Sequence, residues 1–235
     1  MPASSKASSS KRSVSLSGDE VERAIYIDFE GTATEPASLL GVYCDGAWEV
    51  WIIEESLHGA AVHHKYGQVT ASDRRSVITS LRSRALEEQR RIVAWSDREL
   101  QEILKTPGIN ERESRWWTDN LVNALPPAKR WANRNRVEIP VVGSSRGLRP
   151  NKWSLSGFRR ATGYRKLSSA HEIGNTASRI RAVREQLAKR GSYSKLTKVA
   201  KGKWTKVLTH NYHDCVGLQH VVNKIFEPES HQPHH

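Results

Sequence analysis

The chain has 235 residues, with 37 Lys and Arg against 25 Asp and Glu and a formal net charge of +12. That length favours one domain with elaborations over two full domains. No apolar run approaches the roughly 18 residues of a spanning helix, and the N-terminus lacks the apolar stretch of a secretory signal. A soluble, intracellular, cytoplasmic protein without a membrane partner is expected. Cys44 and Cys215 are the only cysteines, which excludes a disulfide framework and a zinc site of closely spaced thiols.

The charge is unevenly spread. Residues 112 to 206 hold about 23 Lys and Arg against about 5 Asp and Glu, roughly +18, so the remainder is about −6. A basic half that grips phosphates, joined to an acidic half that holds cations, is the division this suggests, and nucleic acid is the polyanion it suggests first. A solvated basic face without a ligand is the alternative.

In chain order, residues 1 to 18 are Ser-rich and polar and are expected to form a flexible tail, as is the stretch from 229 to 235. The domain between them, 19 to 228, opens with Ala24 to Gly31, where Ile25, Ile27 and Phe29 alternate with Tyr26, Asp28 and Glu30 as on a strand. Strands follow at Ser38 to Cys44 and Glu49 to Ile53, around the turn-forming Asp45-Gly46. The three read as an antiparallel meander. Residues 72 to 90 have helical spacing, Ile92 to Trp95 is a short strand, and Ser96 opens another helix.

From about residue 110 to 206 lies a basic helical portion, punctuated by Pro126-Pro127, Pro140, Gly143, Gly147 and Pro150, with helices near 114 to 135, 154 to 163 and 175 to 190. A final helix from about Thr209 to Phe226 puts Asp214, Leu218, Val222 and Ile225 on one face. The order predicts a mixed α/β domain with the first strand central and two carboxylates at its C-terminal end, where such sheets tend to place ligands.

Asp28 and Glu30 leave the same face of a strand about 6.5 to 7 Å apart. Unpaired beside a core they each cost several kcal/mol, so they call for a divalent cation, a basic partner or solvent. All-oxygen ligands suit Mg²⁺ or Mn²⁺. An exposed strand face with two wetted carboxylates is the competing explanation.

IYIDFEGT, IVAWSDREL and LTHNYHDC, in that order, resemble the three motifs of the DEDD exonuclease superfamily of the ribonuclease H-like fold. There, D-x-E lies on the first strand, a second acidic residue opens a helix after the fourth strand, and the last begins the final helix. The flavour is that of the branch of predicted RecB-type nucleases, whose second motif carries Glu, and WSLSGFRRATGY resembles that branch's stretch between the second and third motifs. The resemblance spans about residues 22 to 226.

The resemblance implies a ribonuclease H-like sheet flanked by helices and a metal site of Asp28, Glu30, Glu99 and Asp214. Its chemistry would be two-metal hydrolysis of phosphodiesters, with ions about 3.5 to 4 Å apart. Glu99 also stands three residues after Ser96, the spacing of a helix capping box, and Asp97 is its substitute. His210 lies four before Asp214, where the family has Tyr at four or His at five, and is favoured as general base over Tyr212 and His213.

Gly31 and Thr32 are the implied contacts to a terminal nucleotide. Arg146, Arg149, Lys152, Arg159, Arg160, Arg165 and Lys166 form the densest basic cluster. With Trp116, Trp117, Trp131, Trp153, Tyr164, Tyr193 and Trp204 nearby, they suit single-stranded DNA or RNA, although core packing explains most of these rings equally. A 3′ to 5′ exonuclease is the leading expectation. The rivals are a structure-selective endonuclease on the same fold, an inactive nucleic-acid-binding protein, and a regulator that binds an acidic protein.

Overall fold

A computed structural model of the chain describes residues 16–32, 35–142, 152–164 and 175–227. Its centre is a mixed six-stranded sheet of β1 (Ile25–Glu30), β2 (Leu39–Cys44), β3 (Ala47–Ile52), β4 (Gly67–Ala71), β5 (Ile92–Ala94) and β6 (Leu121–Asn123). The spatial order is β4-β3-β2-β1-β5-β6. β2 pairs antiparallel with β1 and β3, and all other pairings are parallel, so β2 alone runs against its neighbours. Asp45 and Gly46 both take positive φ (50° and 79°) between β2 and β3, as a two-residue hairpin turn matched to strand twist requires.

The helices are α1 (Gly18–Arg23), α2 (Arg74–Glu87), α3 (Asp97–Leu104), α4 (Glu111–Asn120), α5 (Leu125–Arg134), α6 (Leu155–Ala161), α7 (Thr176–Arg190) and α8 (Lys198–Phe226). The two-residue period of β1 divides them. Ile25, Ile27 and Phe29 pack with Val77, Ile78 and Leu81 of α2, Ile103 of α3 and Trp117 of α4. Tyr26, between them, faces the other way, into a cluster with Ala128 of α5, Phe158 of α6 and Leu218 and Val222 of α8. A third cluster sets Leu39, Val50 and Ile52 against Ile180 and Val183 of α7 and Trp204 and Leu208 of α8. Of the helices of the basic stretch, α5, α6 and α7 thus share α8's side of the sheet, while α4 packs with α2 and α3 on the other.

Several boundaries differ from the sequence expectation. Leu16 is buried and Ser17 caps α1 through Glu20 N, so residues 16 to 18 belong to the folded domain. The helix expected over 114 to 135 is interrupted by β6, which pairs with β5; Pro126-Pro127 then falls in the first turn of α5, where missing amides cost nothing. The edge strand β4 was not foreseen. α8 starts at Lys198 instead of near Thr209, because Ala200, Trp204, Val207 and Leu208 form a buried helical stripe that Gly202 and the surrounding lysines mask. No helix among the described residues is long and apolar enough to cross a membrane.

Candidate active site

The strand parity that sends Tyr26 toward α8 also sends Asp28 and Glu30 there, at the C-terminal end of a central strand. Asp28 sits opposite Gly41 of β2. Because Gly41 has no side chain, Asn211 of α8 fills that space: a Cβ on Gly41 would lie 1.7 Å from Asn211 Oδ1. Fully buried, Asn211 donates from Nδ2 to Asp28 Oδ2 (2.9 Å) and to the Asp28 carbonyl (3.0 Å). Trp48 Nε1 donates to its Oδ1 (3.2 Å), which fixes the orientation of the amide.

One helical turn separates His210 from Asp214, so both reach Glu30 from the same side of α8. His210 Nε2 lies 3.7 Å from Glu30 Oε1 and 3.4 Å from Asp214 Oδ2. One ligand atom from each of Glu30, His210 and Asp214 falls within 4.8 Å of the others. The competing bases lie elsewhere: Tyr212 stacks on Tyr66 at 3.9 Å between centroids, and Tyr164 Oη is 3.0 Å from His213 Nδ1.

Asp214 has a partner that the sequence did not suggest. Arg159 of α6, expected on a phosphate-gripping surface, is 2% exposed, and its Nη1 donates to Asp214 Oδ1. It crosses α8 at Gly217, where a Cβ would come within 2.5 Å of the arginine Cδ, and its guanidinium lies 5.0 Å from the Tyr164 ring centroid.

Glu99 of α3 is buried and closes the capping box, accepting from Ser96 N (3.1 Å) and Ser96 Oγ (2.9 Å), both at Oε2. Its charge reaches the strand carboxylates, raising the pKa of each. Asp97, the substitute, is exposed and accepts from Asn123 Nδ2 (2.8 Å).

Burial, followed by the charges of Glu30, Asp214 and Glu99, holds the Asp28 carboxyl well above the ordinary carboxylate range. Glu30 is pushed up to about 7 by burial, with His210 pulling against it and Asp214 adding to it. His210 is itself raised, first by Asp214 and then by Glu30, against the opposing effect of burial. Crowded, buried carboxylates beside one imidazole suit a hard divalent cation, which relieves the repulsion. Glu30, His210 and Asp214 therefore fit such an ion, and Asp28 and Glu99 are the further carboxylates electrostatically linked to them.

Glu30 and His210 line a cleft of about 710 Å³, walled by Gly31 and Thr32 after β1, Arg98 and Glu102 of α3, Lys105 just after it, and Thr176 and Ala177 of α7. The loop after β1 is held on both sides. Ala37 N donates to Glu102 Oε2 (3.0 Å), Arg74 Nη2 donates to the Ala37 carbonyl (2.6 Å), and Arg184 of α7 makes a two-pronged pair with Glu35 (3.1 and 2.8 Å). Thr32 Oγ1 donates to Glu35 Oε2 (3.0 Å).

Of the basic cluster, Arg146, Arg149, Arg165 and Lys166 lie outside the described residues. Arg160 is exposed on α6, and Lys152 Nζ lies 5.1 Å from the Trp153 ring centroid. Trp117 and Trp204 are core residues, the latter donating to the Ala60 carbonyl (3.0 Å).

Sequence reasoning missed Gly41, Asn211, Trp48 and the inward role of Arg159. A glycine inside a strand was the available signal for the first, since it marks close approach of another group. No protein-family model matches the chain, and no match is found among the curated proteins.

Proposed function

We propose that the protein is a metal-dependent nuclease of the ribonuclease H-like kind, hydrolysing phosphodiester bonds of single-stranded DNA or RNA. The observation that carries this reading is the convergence of Glu30 from β1 with His210 and Asp214 from α8 beside a cleft that Glu30 and His210 line, with Asp28 two residues before Glu30 on the same strand. The order of the motifs, with D-x-E on the first strand and Glu99 in the first turn of a helix, supports it too. Two details depart from the family pattern: β4 places the second motif after the fifth strand, and Asp214 sits in the interior of the final helix instead of at its start.

Asp28, Glu30 and Asp214 would hold Mg²⁺ or Mn²⁺, with Glu99 Oε1 in reserve. The ion supplies activation of water and neutralisation of phosphate charge. With the carboxylates neutralised, His210 loses the charges that hold its proton and is free to accept one from the attacking water. Arg98 and Lys105 on the cleft wall place positive charge where the strand's phosphates would run, while Gly31 and Thr32 face the terminal nucleotide. The resemblance adds the 3′ to 5′ exonucleolytic direction.

The test is a nuclease assay with Mg²⁺ or Mn²⁺ on end-labelled single-stranded DNA and RNA, comparing the wild type with Asp28→Ala. Stepwise shortening by the wild type and none by the variant is expected; equal activity in the two overturns the reading. A circular single strand that is degraded assigns the activity to an endonuclease instead.

A further inference from the structure

The cations of the cleft stand at the two ends of α3, Arg98 in its first turn and Lys105 just after its last, and both are exposed. Lys105 Nζ pairs with Glu102 (2.9 Å), but the Arg98 guanidinium makes no hydrogen bond or ion pair among the described residues. Its charge nevertheless reaches Asp28, Glu30 and Glu99, where it opposes the rise in pKa that burial causes. Arg98 thus stands near the carboxylates with its fork of donors free, as a group that meets a phosphate there requires.

The rest of the lining offers a base no aromatic face to stack on. The chain has 8 Trp, 6 Tyr and 3 Phe; all of them fall within the described residues, and none lines the cleft. The rings of α8 and its neighbours turn elsewhere: Tyr212 lies on Tyr66, and the Tyr164 hydroxyl meets His213. The His210 ring reaches the cleft, but its Nε2 is drawn between Glu30 and Asp214. Gly31, Thr32 and Pro36 after β1, with Thr176 and Ala177 of α7, make the remaining wall small or polar. Proteins that hold single strands by their bases set aromatic faces under them, each base stacked in this way adding on the order of tenfold or more in affinity. Here the cations are present without the faces.

We infer that the cleft recognises the sugar–phosphate backbone alone, so that a strand stripped of its bases is a substrate as good as an ordinary one. The inference rests on the nuclease reading above and narrows its substrate class. Arg98 takes the phosphate nearest the carboxylates. Seven residues of helix set Lys105 roughly 10 Å further along α3, where it serves a separate phosphate.

The probes are two 5′-labelled single DNA strands of equal length, incubated with the full chain and Mn²⁺. One is ordinary; the other carries a run of stable abasic (tetrahydrofuran) residues at its 3′ end and a second run in its middle, so that terminal and internal cleavage are both read. Cleavage within the abasic runs is expected at rates close to those at the same positions of the ordinary strand. Slowing at the abasic runs by about tenfold or more, the loss that follows removal of a stacked base, overturns the inference and leaves the nuclease reading intact. No cleavage of either strand overturns both. Arg98→Gln is expected to slow cleavage of the two strands by the same factor and to reduce the salt dependence of strand binding, with Mn²⁺ binding retained. A variant slowed on the ordinary strand alone overturns the inference, because Arg98 then acts through a base; one slowed on neither strand overturns the role given to Arg98.

Discussion

Asn211 binds Asp28 twice, donating from a single side-chain nitrogen to both the carboxylate and the main-chain carbonyl (2.9 and 3.0 Å). The two bonds couple the side-chain direction of Asp28 to its own strand, and Trp48 prevents the amide from turning over. The Asp28 carboxylate is thereby kept in one rotamer, which suits the cation-holding role proposed for it. Asn211→Leu fills a similar volume and removes every one of these bonds. Its expected effects are a loss of about 2 to 3 kcal/mol of stability, from the polar groups left buried without partners, and a fall in Mn²⁺ affinity of about tenfold or more. Urea unfolding and calorimetry measure the two. Unchanged Mn²⁺ affinity assigns Asn211 to the core alone.

The same relationship predicts coupling between Gly41 and Asn211. A methyl on Gly41 would overlap Asn211 Oδ1, so Gly41→Ala displaces the amide and costs about 2 to 3 kcal/mol by overpacking. Shortening the partner removes the clash, so adding Asn211→Ala costs much less in the Gly41→Ala background than alone. The double-mutant cycle should give a coupling of at least about 1 kcal/mol. Strict additivity means that Gly41 is there for some other reason.

What the sequence revealed follows from which signals are local. Strand alternation at Ile25 to Glu30 and the Asp45-Gly46 turn depend on neighbours in the chain, and both appear where expected. β4 lacked such a signal: Gly67–Ala71 owes its extended form to pairing with β3, in which a Cβ on Gly67 would meet the Trp48 carbonyl. Within the site, Asp28 and Glu30 were legible from parity, and His210 and Asp214 from helical spacing. Arg159 was not, because the cation that pairs with Asp214 arrives from a helix 55 positions away in the chain and looks, in sequence, like any other member of a basic cluster.

His64 carries a pH prediction away from the carboxylates. It is buried against Trp48 and Tyr66 (5.8 and 5.2 Å between centroids), and neither ring nitrogen has a hydrogen-bond partner among the described residues. Burial, aided by the charges of Lys65 and His63, lowers its pKa from 6.5 to about 4. The unfolded chain thus takes up this proton before the folded one. His64 contributes its full stability above about pH 6.5 and loses it as the pH falls toward 4, by about 3 kcal/mol in all. His64→Phe should flatten that part of the stability profile, measured by urea unfolding at pH 7.5, 6, 5 and 4. A variant with the same slope as the wild type places the acid sensitivity elsewhere.

Glu99 serves two roles that one pair of substitutions separates. The capping box needs only an acceptor at Oε2, and glutamine supplies one while abolishing the charge. Glu99→Gln should therefore keep the wild-type melting behaviour to within about 0.5 kcal/mol, whereas Glu99→Ala loses the cap and about 1 kcal/mol. If Glu99 Oε1 also faces the cation, Mn²⁺ binding weakens in both variants alike, since each lacks the carboxylate. If Glu99 is a cap alone, Glu99→Gln binds Mn²⁺ as the wild type does. The burial of Glu99 and the rise its charge produces at Asp28 and Glu30 favour the first result.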